Sequence, residues 1–416
     1  MTGRGSDPVA DAYEGPPPTR RPEYWQGGQV APPWGAPGPP PAPWGPQQWA
    51  PQPWPQPPAQ WAPQQWGPQQ WGPQPWGGPP WGPPPQPPRP VRWAPPPGAP
   101  PHDEPRSFLR VMRTRDWAWW RPLLGLLLLA VVYLALAVVT AVAGVLGLLA
   151  SGVDPGELPD LAVDQLSDPW VLLFLNASLI VAIPCVWMAW AVAHGMRRGW
   201  SSSVLARLRL RLFLPYTLMA LATLGVGIGL AVLATFTLGE EEVTGPVSSL
   251  GWLLVVVLLT TPLQSAAEEY VFRGYLSQAI AGWIRAPQAG AVLAALLSAL
   301  LFAAAHGPQD PLTFLDRFAF GLAASAVVWL TGGLEAAIVL HAVNNVLVFV
   351  LAGTLGEGVA TEEVPAGIGI GSAVLSLASM AAYVVVVARS RRRLVPETRT
   401  AALDLRLPLP PPVPAR

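Results

Sequence analysis

The sequence predicts an all-α polytopic membrane protein of about eight transmembrane helices, preceded by a disordered Pro/Trp-rich tail. Three observations predict it. Residues 117–388 are mostly apolar, with their few charges gathered between long hydrophobic stretches. An apolar run of about 18 residues or more is long enough to span a bilayer as a helix. Residues 1–105 are instead rich in Pro, Trp, Gln and Gly and hold no such run. Arginine, finally, alternates between successive loops, as the asymmetry of a multi-pass protein requires.

The tail carries a loose repeat, QQWAPQPWPQPPAQWAPQQWGPQQWGPQPWGGPPWGPPP. Proline removes a backbone donor and disfavours helix, so this stretch is expected to be disordered or polyproline-like. Its spaced Trp residues suit low-complexity filler, or contact with lipid headgroups or a partner's groove. The spans are expected at 118–150, 169–193, 212–238, 249–284, 287–306, 314–331, 333–352 and 366–388. The fourth is too long for one simple crossing and contains Pro262, so it is expected to kink or to project from the bilayer. The resulting domains are a tail (1–105), N-terminal membrane helices (106–248), a core (249–352), a last membrane helix (353–393) and a C-terminal tail (394–416).

Arg106, Arg110, Arg113 and Arg115 precede span one. Arg197, Arg198, Arg207, Arg209 and Arg211 separate spans two and three, and Arg389, Arg391, Arg392 and Arg393 follow span eight. The intervening loops are acidic or neutral, with Asp154, Glu157, Asp160 and Asp164 after span one and Glu240, Glu241 and Glu242 after span three. Glu357, Glu362 and Glu363 follow span seven. This pattern predicts a multi-pass protein of the bacterial cell membrane with both termini cytoplasmic. The start, MTGRGSDPVADAYEG, lacks the apolar core of a signal peptide, so the first span is expected to serve as the insertion signal.

Composition also excludes. The formal net charge is zero, and all 25 basic residues are Arg; a neutral chain argues against nucleic acid as the partner. A single cysteine, Cys185, allows neither an intramolecular disulfide nor a thiolate metal site.

Ionisable groups inside membrane spans are costly and usually functional. Here they cluster. Span four carries Glu268, Glu269 and Arg273 in AAEEYVFRGYL, span five ends in LLFAAAHG with Phe302 and His306, and span seven carries His341, Asn344 and Asn345 in IVLHAVNNVL. Of the other histidines, His102 lies in the tail and His194 at a helix end beside arginines, and both read as solvated or interfacial. Residues four apart share a helix face, so Glu269 can pair with Arg273, and His341 projects beside Asn345. Phe302, one turn before His306, can pack beside its ring. The turn between spans four and five falls near 285–287. Glu268 lies 18 residues before Ala286 and His306 lies 20 after it. In an antiparallel hairpin both therefore stand about 27–30 Å from the turn. Span seven brings His341 to a matching depth only if that hairpin projects or span five tilts.

Glu269 with Arg273 alone reads equally well as a neutralised structural pair, and a lone membrane histidine as a hydrogen-bonded one. Two Glu, one Arg, two His and two Asn on three apolar helices point to chemistry. A carboxylate beside an imidazole can hold and deprotonate water, and a second His with an Asn can donate to an oxyanion. The same groups allow a zinc set of Glu268, His306 and His341, although H-E-x-x-H is absent.

EEYVFR, FAAAH and HAVNN fit E-E-x-x-x-R, F-x-x-x-H and H-x-x-x-N in order on successive membrane helices. Together they resemble the CAAX prenyl protease and bacteriocin-processing (CPBP, or Abi) family of intramembrane proteases, over about residues 249–352. Gly274 and WLTGGLEAAIVLHAVNN look like the family too. The resemblance implies an intramembrane endopeptidase in which Glu268 and His306 activate water. His341 and Asn345 would stabilise the oxyanion, with Glu269 and Arg273 in support. It implies a metal-free glutamate mechanism, with zinc as the alternative. The implied partners are a peptide, prenylated or membrane-protein substrate and the lipid bilayer. Two other readings use the same residues: a proton-coupled transporter, and a non-catalytic scaffold recruiting partners through the Trp-rich tail.

Overall fold

A computed structural model of the chain describes residues 95, 98–150, 152, 168–238, 245–356 and 366–403. The expected Pro/Trp-rich tail lies outside the described residues up to 94, as do the acidic stretches at 153–167, 239–244 and 357–365. Among the described residues no strand occurs, and eight helical segments are long and apolar enough to cross a membrane. The protein is thus an integral multi-pass membrane protein.

The helices are α1 (Arg121–Ala150), α2 (Pro169–Ile180), α3 (Ala182–His194), α4 (Phe213–Ala220), α5 (Val226–Leu238), α6 (Leu250–Val271), α7 (Ser277–Trp283), α8 (Pro287–Ala304), α9 (Pro311–Thr331), α10 (Glu335–Leu355) and α11 (Ala366–Leu394). Local chemistry sets their ends. Asp168 and Asp310 accept from the first amides of α2 and α9, each followed by Pro at the first helical position. Gly332 ends α9 at φ 72°, where a Cβ would also strike the Glu397 carbonyl at 2.5 Å. Outward leucines and valines of α1, such as Leu127, Leu134 and Val139, are more than half exposed and suit lipid.

The core forms where α6 packs on α10 and α2, α8 on α9, and α11 on α9 and α5. The long fourth span runs from Leu250 to Trp283, 34 residues, or about 50 Å at helical rise against a hydrocarbon core of about 30 Å. It keeps Pro262 inside α6 and joins α6 to α7 by a π-helical turn, Phe272–Leu276. The Phe272 carbonyl accepts from Ser277 Oγ and, across the hairpin, from Ser298 Oγ. Gly274 packs against Leu334 and the Ser201 carbonyl, level with the start of α10. The nine residues from Gly274 to Trp283 therefore carry the hairpin about 13 Å beyond that start.

Residues 98–115 form a strap across the hairpin turn. Phe108, Val111 and Met112 are fully buried. Arg110 donates to the carbonyls of Ala281 (2.7 Å), Ile284 and Arg285, and Arg113 Nε to Gly282 O at 2.6 Å. These are the orphan acceptors at the end of α7. The strap pairs with the segment after α11: Thr400 N donates to Arg106 O, Leu403 N to His102 O, and Arg115 Nη2 to Leu403 O. The flanks of the first and last spans therefore lie together, on one side.

Two histidines correct the sequence reading. His102 is not solvated: the strap folds it inward, where Nε2 donates to Val111 O at 2.7 Å and its ring meets Trp200 edge-on. His194 is buried as well, sharing a 3.0 Å hydrogen bond with the Tyr275 hydroxyl and packing on Trp190. The neighbouring prolines and arginines suggested solvent, but tertiary packing covers both rings. Because Arg110 satisfies three carbonyls at once, Arg110→Ala is expected to cost about 2 kcal/mol, measured as a lower unfolding midpoint in detergent.

Candidate active site

The candidate residues meet where α6, α8, α9 and α10 converge. Glu269 and Arg273 are each fully buried and joined by a 2.9 Å ion pair. The i,i+4 spacing on α6 brings them together. Arg273 Nη2 reaches α9, donating to Gly321 O at 3.1 Å. Gly321 is required for that approach, because a Cβ there would lie 2.8 Å from Ala299 of α8.

His341, 2% exposed, faces both glutamates. Its Nδ1 donates to Glu269 Oε1 at 3.0 Å. Its Nε2 stands 3.6 Å from Glu268 Oε2, within ion-pair range but beyond a hydrogen bond. Glu268 is the more accessible carboxylate, with its side chain 15% exposed. Its Oε1 accepts from Gln264 Nε2, whereas Oε2 is buried without a hydrogen-bond partner.

His306 lies just past the end of α8, exposed, with Nδ1 donating to Phe302 O at 2.8 Å. That bond assigns the proton to Nδ1 and leaves the lone pair on Nε2. No hydrogen bond joins His306 to the other candidates; the Phe302 ring joins them instead. It meets His306 at 4.8 Å and His341 at 5.7 Å between centroids, and carries the Arg273 guanidinium 4.7 Å above it. Asn345 is tied in more loosely. Its Nδ2 donates to Gln264 Oε1 at 3.4 Å, and its Oδ1 accepts from Asn344 at 3.2 Å.

Among the described residues no three of His, Cys, Asp and Glu are grouped to hold a metal ion. His341 Nδ1 is engaged by Glu269 and His306 Nδ1 by a backbone carbonyl, which leaves Nε2 of each ring free to face a water or an ion.

Residues 249–347 match the family model for type II CAAX prenyl endopeptidases, Rce1-like. Residues 249–347 thus form a CPBP-family domain. The chain is also similar to the uncharacterized protein YyaK of Bacillus subtilis (strain 168), 27% identical over 206 residues. That similarity covers 46% of this chain and 65% of YyaK, just under two thirds of the relative's length. No solved structure matches the chain.

Three contacts within the CPBP core were missed by sequence reasoning. Gln264 holds both Glu268 and Asn345, and its place one turn before Glu268 on an apolar helix could have revealed it. Phe320 stacks on Phe302 at 5.7 Å and meets His341 at 5.1 Å. Gly321 supplies the acceptor for Arg273. The latter two lie on span six, where neither residue carries chemistry that a sequence could flag. Outside the core, Arg209 clasps the foot of α10. Its Nε and Nη2 donate to the two Glu335 oxygens at 2.9 and 2.6 Å, with both side chains buried. This fixes the helix that carries His341.

Proposed function

We propose that the protein is an intramembrane endopeptidase that hydrolyses peptide bonds of membrane-associated, prenylated or peptide substrates. The observation that carries the proposal is the division of labour between adjacent glutamates. Each keeps an Oε2 without a hydrogen-bond partner, but Glu269 is fully buried with its Oε1 held by both Arg273 and His341, whereas Glu268 is partly exposed, is held only by Gln264 and turns its Oε2 toward the same histidine. A paired carboxylate positions; an unpaired one can take a proton.

In this reading a water is held between Glu268 Oε2 and His306 Nε2. Glu268 takes its proton as the oxygen attacks the peptide carbonyl carbon. His341, held by Glu269 through Nδ1 and protonated at Nε2 opposite Glu268, donates to the developing oxyanion, and Asn345 Nδ2 adds a second donor. Collapse breaks the C–N bond, and the proton on Glu268 passes to the leaving amine. Glu269, Arg273 and Gln264 position these groups. The arginine distribution supports a reading with both termini in the cytoplasm, in a bacterial cell membrane. The Pro/Trp-rich tail is an additional contact for headgroups or a partner protein.

The test uses purified protein in proteoliposomes with membrane-anchored peptides. Cleavage is expected for the wild type and is expected to vanish in His306→Ala and His341→Ala, each still inserted and abundant. Cleavage should survive exhaustive chelation. Loss on chelation with recovery on added zinc would replace the water-activation scheme by a metal one. Ion flux without any cleavage would favour the transporter reading.

A further inference from the structure

The last span ends in ARSRRRL. Among the described residues, Arg389, Arg392 and Arg393 meet no carboxylate, unlike Arg209 and Arg211, which pair with Glu335 and Glu397. Arg389, Arg392 and Arg393 line one end of a groove of about 890 Å³ between α11 and α4, whose other end is walled by Met219, Val385 and Val386. Val385 precedes Leu394 by nine residues, so the groove runs about 13 Å along the helix axis. That is close to half of a hydrocarbon core of about 30 Å, the depth of one leaflet. Met219 is likewise nine residues inside a span that begins at Leu210. The rim is held in place, since Arg211 Nη1 donates to Leu394 O at 2.8 Å. Arginines at a span end are ordinarily explained by topology and solvation alone. A groove whose floor is Met219, Val385 and Val386 and whose upper turns carry three of them calls for an amphiphile with a negative head.

We propose that this groove is a binding site for one anionic phospholipid, with its phosphate against Arg389, Arg392 and Arg393 and an acyl chain along Met219, Val385 and Val386. The charges complement the head, and the apolar walls complement the chain. The proposal stands independently of the active-site reading.

The experiment extracts the full-length protein from vesicles of equal phosphatidylglycerol and phosphatidylcholine and weighs the retained lipid by native mass spectrometry. Preferential retention of phosphatidylglycerol is expected. The R392Q/R393Q double variant changes only exposed side chains and should weaken retention roughly fivefold per arginine removed. Ala388→Trp fills the groove while leaving every charge, and should abolish retention. Equal retention of phosphatidylcholine, or undiminished phosphatidylglycerol in R392Q/R393Q, would overturn the site. Undiminished phosphatidylglycerol in a folded Ala388→Trp protein would reduce it to diffuse charge. Inorganic phosphate that displaces the lipid or matches its thermal protection would overturn the lipid as occupant.

Discussion

Glu268→Gln is expected to lower peptide-bond hydrolysis on the order of a thousandfold or more while the protein stays folded, because the amide removes the proton acceptor but keeps the shape. The neighbours make this a clean substitution. Gln264 can still donate to the remaining carbonyl oxygen, and the Arg273 guanidinium pairs with Glu269 instead. Glu269→Gln provides the contrast. It removes the counter-charge of a fully buried guanidinium and the charge on the acceptor of His341 Nδ1, so its main signature should be reduced folded yield, with activity falling along with it. Single-turnover assays on equal amounts of folded protein separate the two. Wild-type turnover by Glu268→Gln would transfer the base to another residue. Equal stability of both variants would show that the adjacent carboxylates are not divided as their contacts suggest.

Arg273→Ala should produce the largest loss of stability, about 3–5 kcal/mol, because it leaves a buried carboxylate without its cation. It also deletes the bridge to Gly321 and the packing over Phe302, so α6, α8 and α9 all lose a shared anchor. Thermal unfolding in detergent reads the loss. Combining Arg273→Met with Glu269→Gln removes both charges together and should recover part of the stability, since neither charge is then stranded. Activity should not return, because His341 would still lack a charged partner at Nδ1. A stable but inactive Arg273→Ala protein would instead move Arg273 from positioning to direct contact with substrate.

The spans were legible because hydrocarbon solvent demands long apolar helices, and that demand overrides most local preference. The Glu269–Arg273 pair was legible because helical spacing alone brings residues four apart together, and Phe302 beside His306 follows from the same rule. What escaped was set by tertiary geometry. Arg209 and Glu335 are 126 residues apart, and nothing local couples them. Arg110 binds backbone carbonyls, which carry no signature in any sequence. The π-helical turn at Phe272–Leu276 replaces what the pattern of side chains reads as plain helix. His102 looked like part of a polar tail because proline-rich flanks resemble linkers until something packs against them.

The clasp between the strap and the segment after α11 has a consequence for biosynthesis. Thr400 and Arg106 are 294 positions apart, a distance that a ribosome covers in on the order of 15–60 s at about 5–20 residues per second. By the end of that interval the four core spans are already translated, while the strap over their hairpin turn still lacks its second anchor. Closure therefore comes as a last act, after the eighth span has entered the bilayer. A nascent chain would acquire its fully braced hairpin only once insertion was finished, which delays maturation of the proposed active site until membrane assembly is complete.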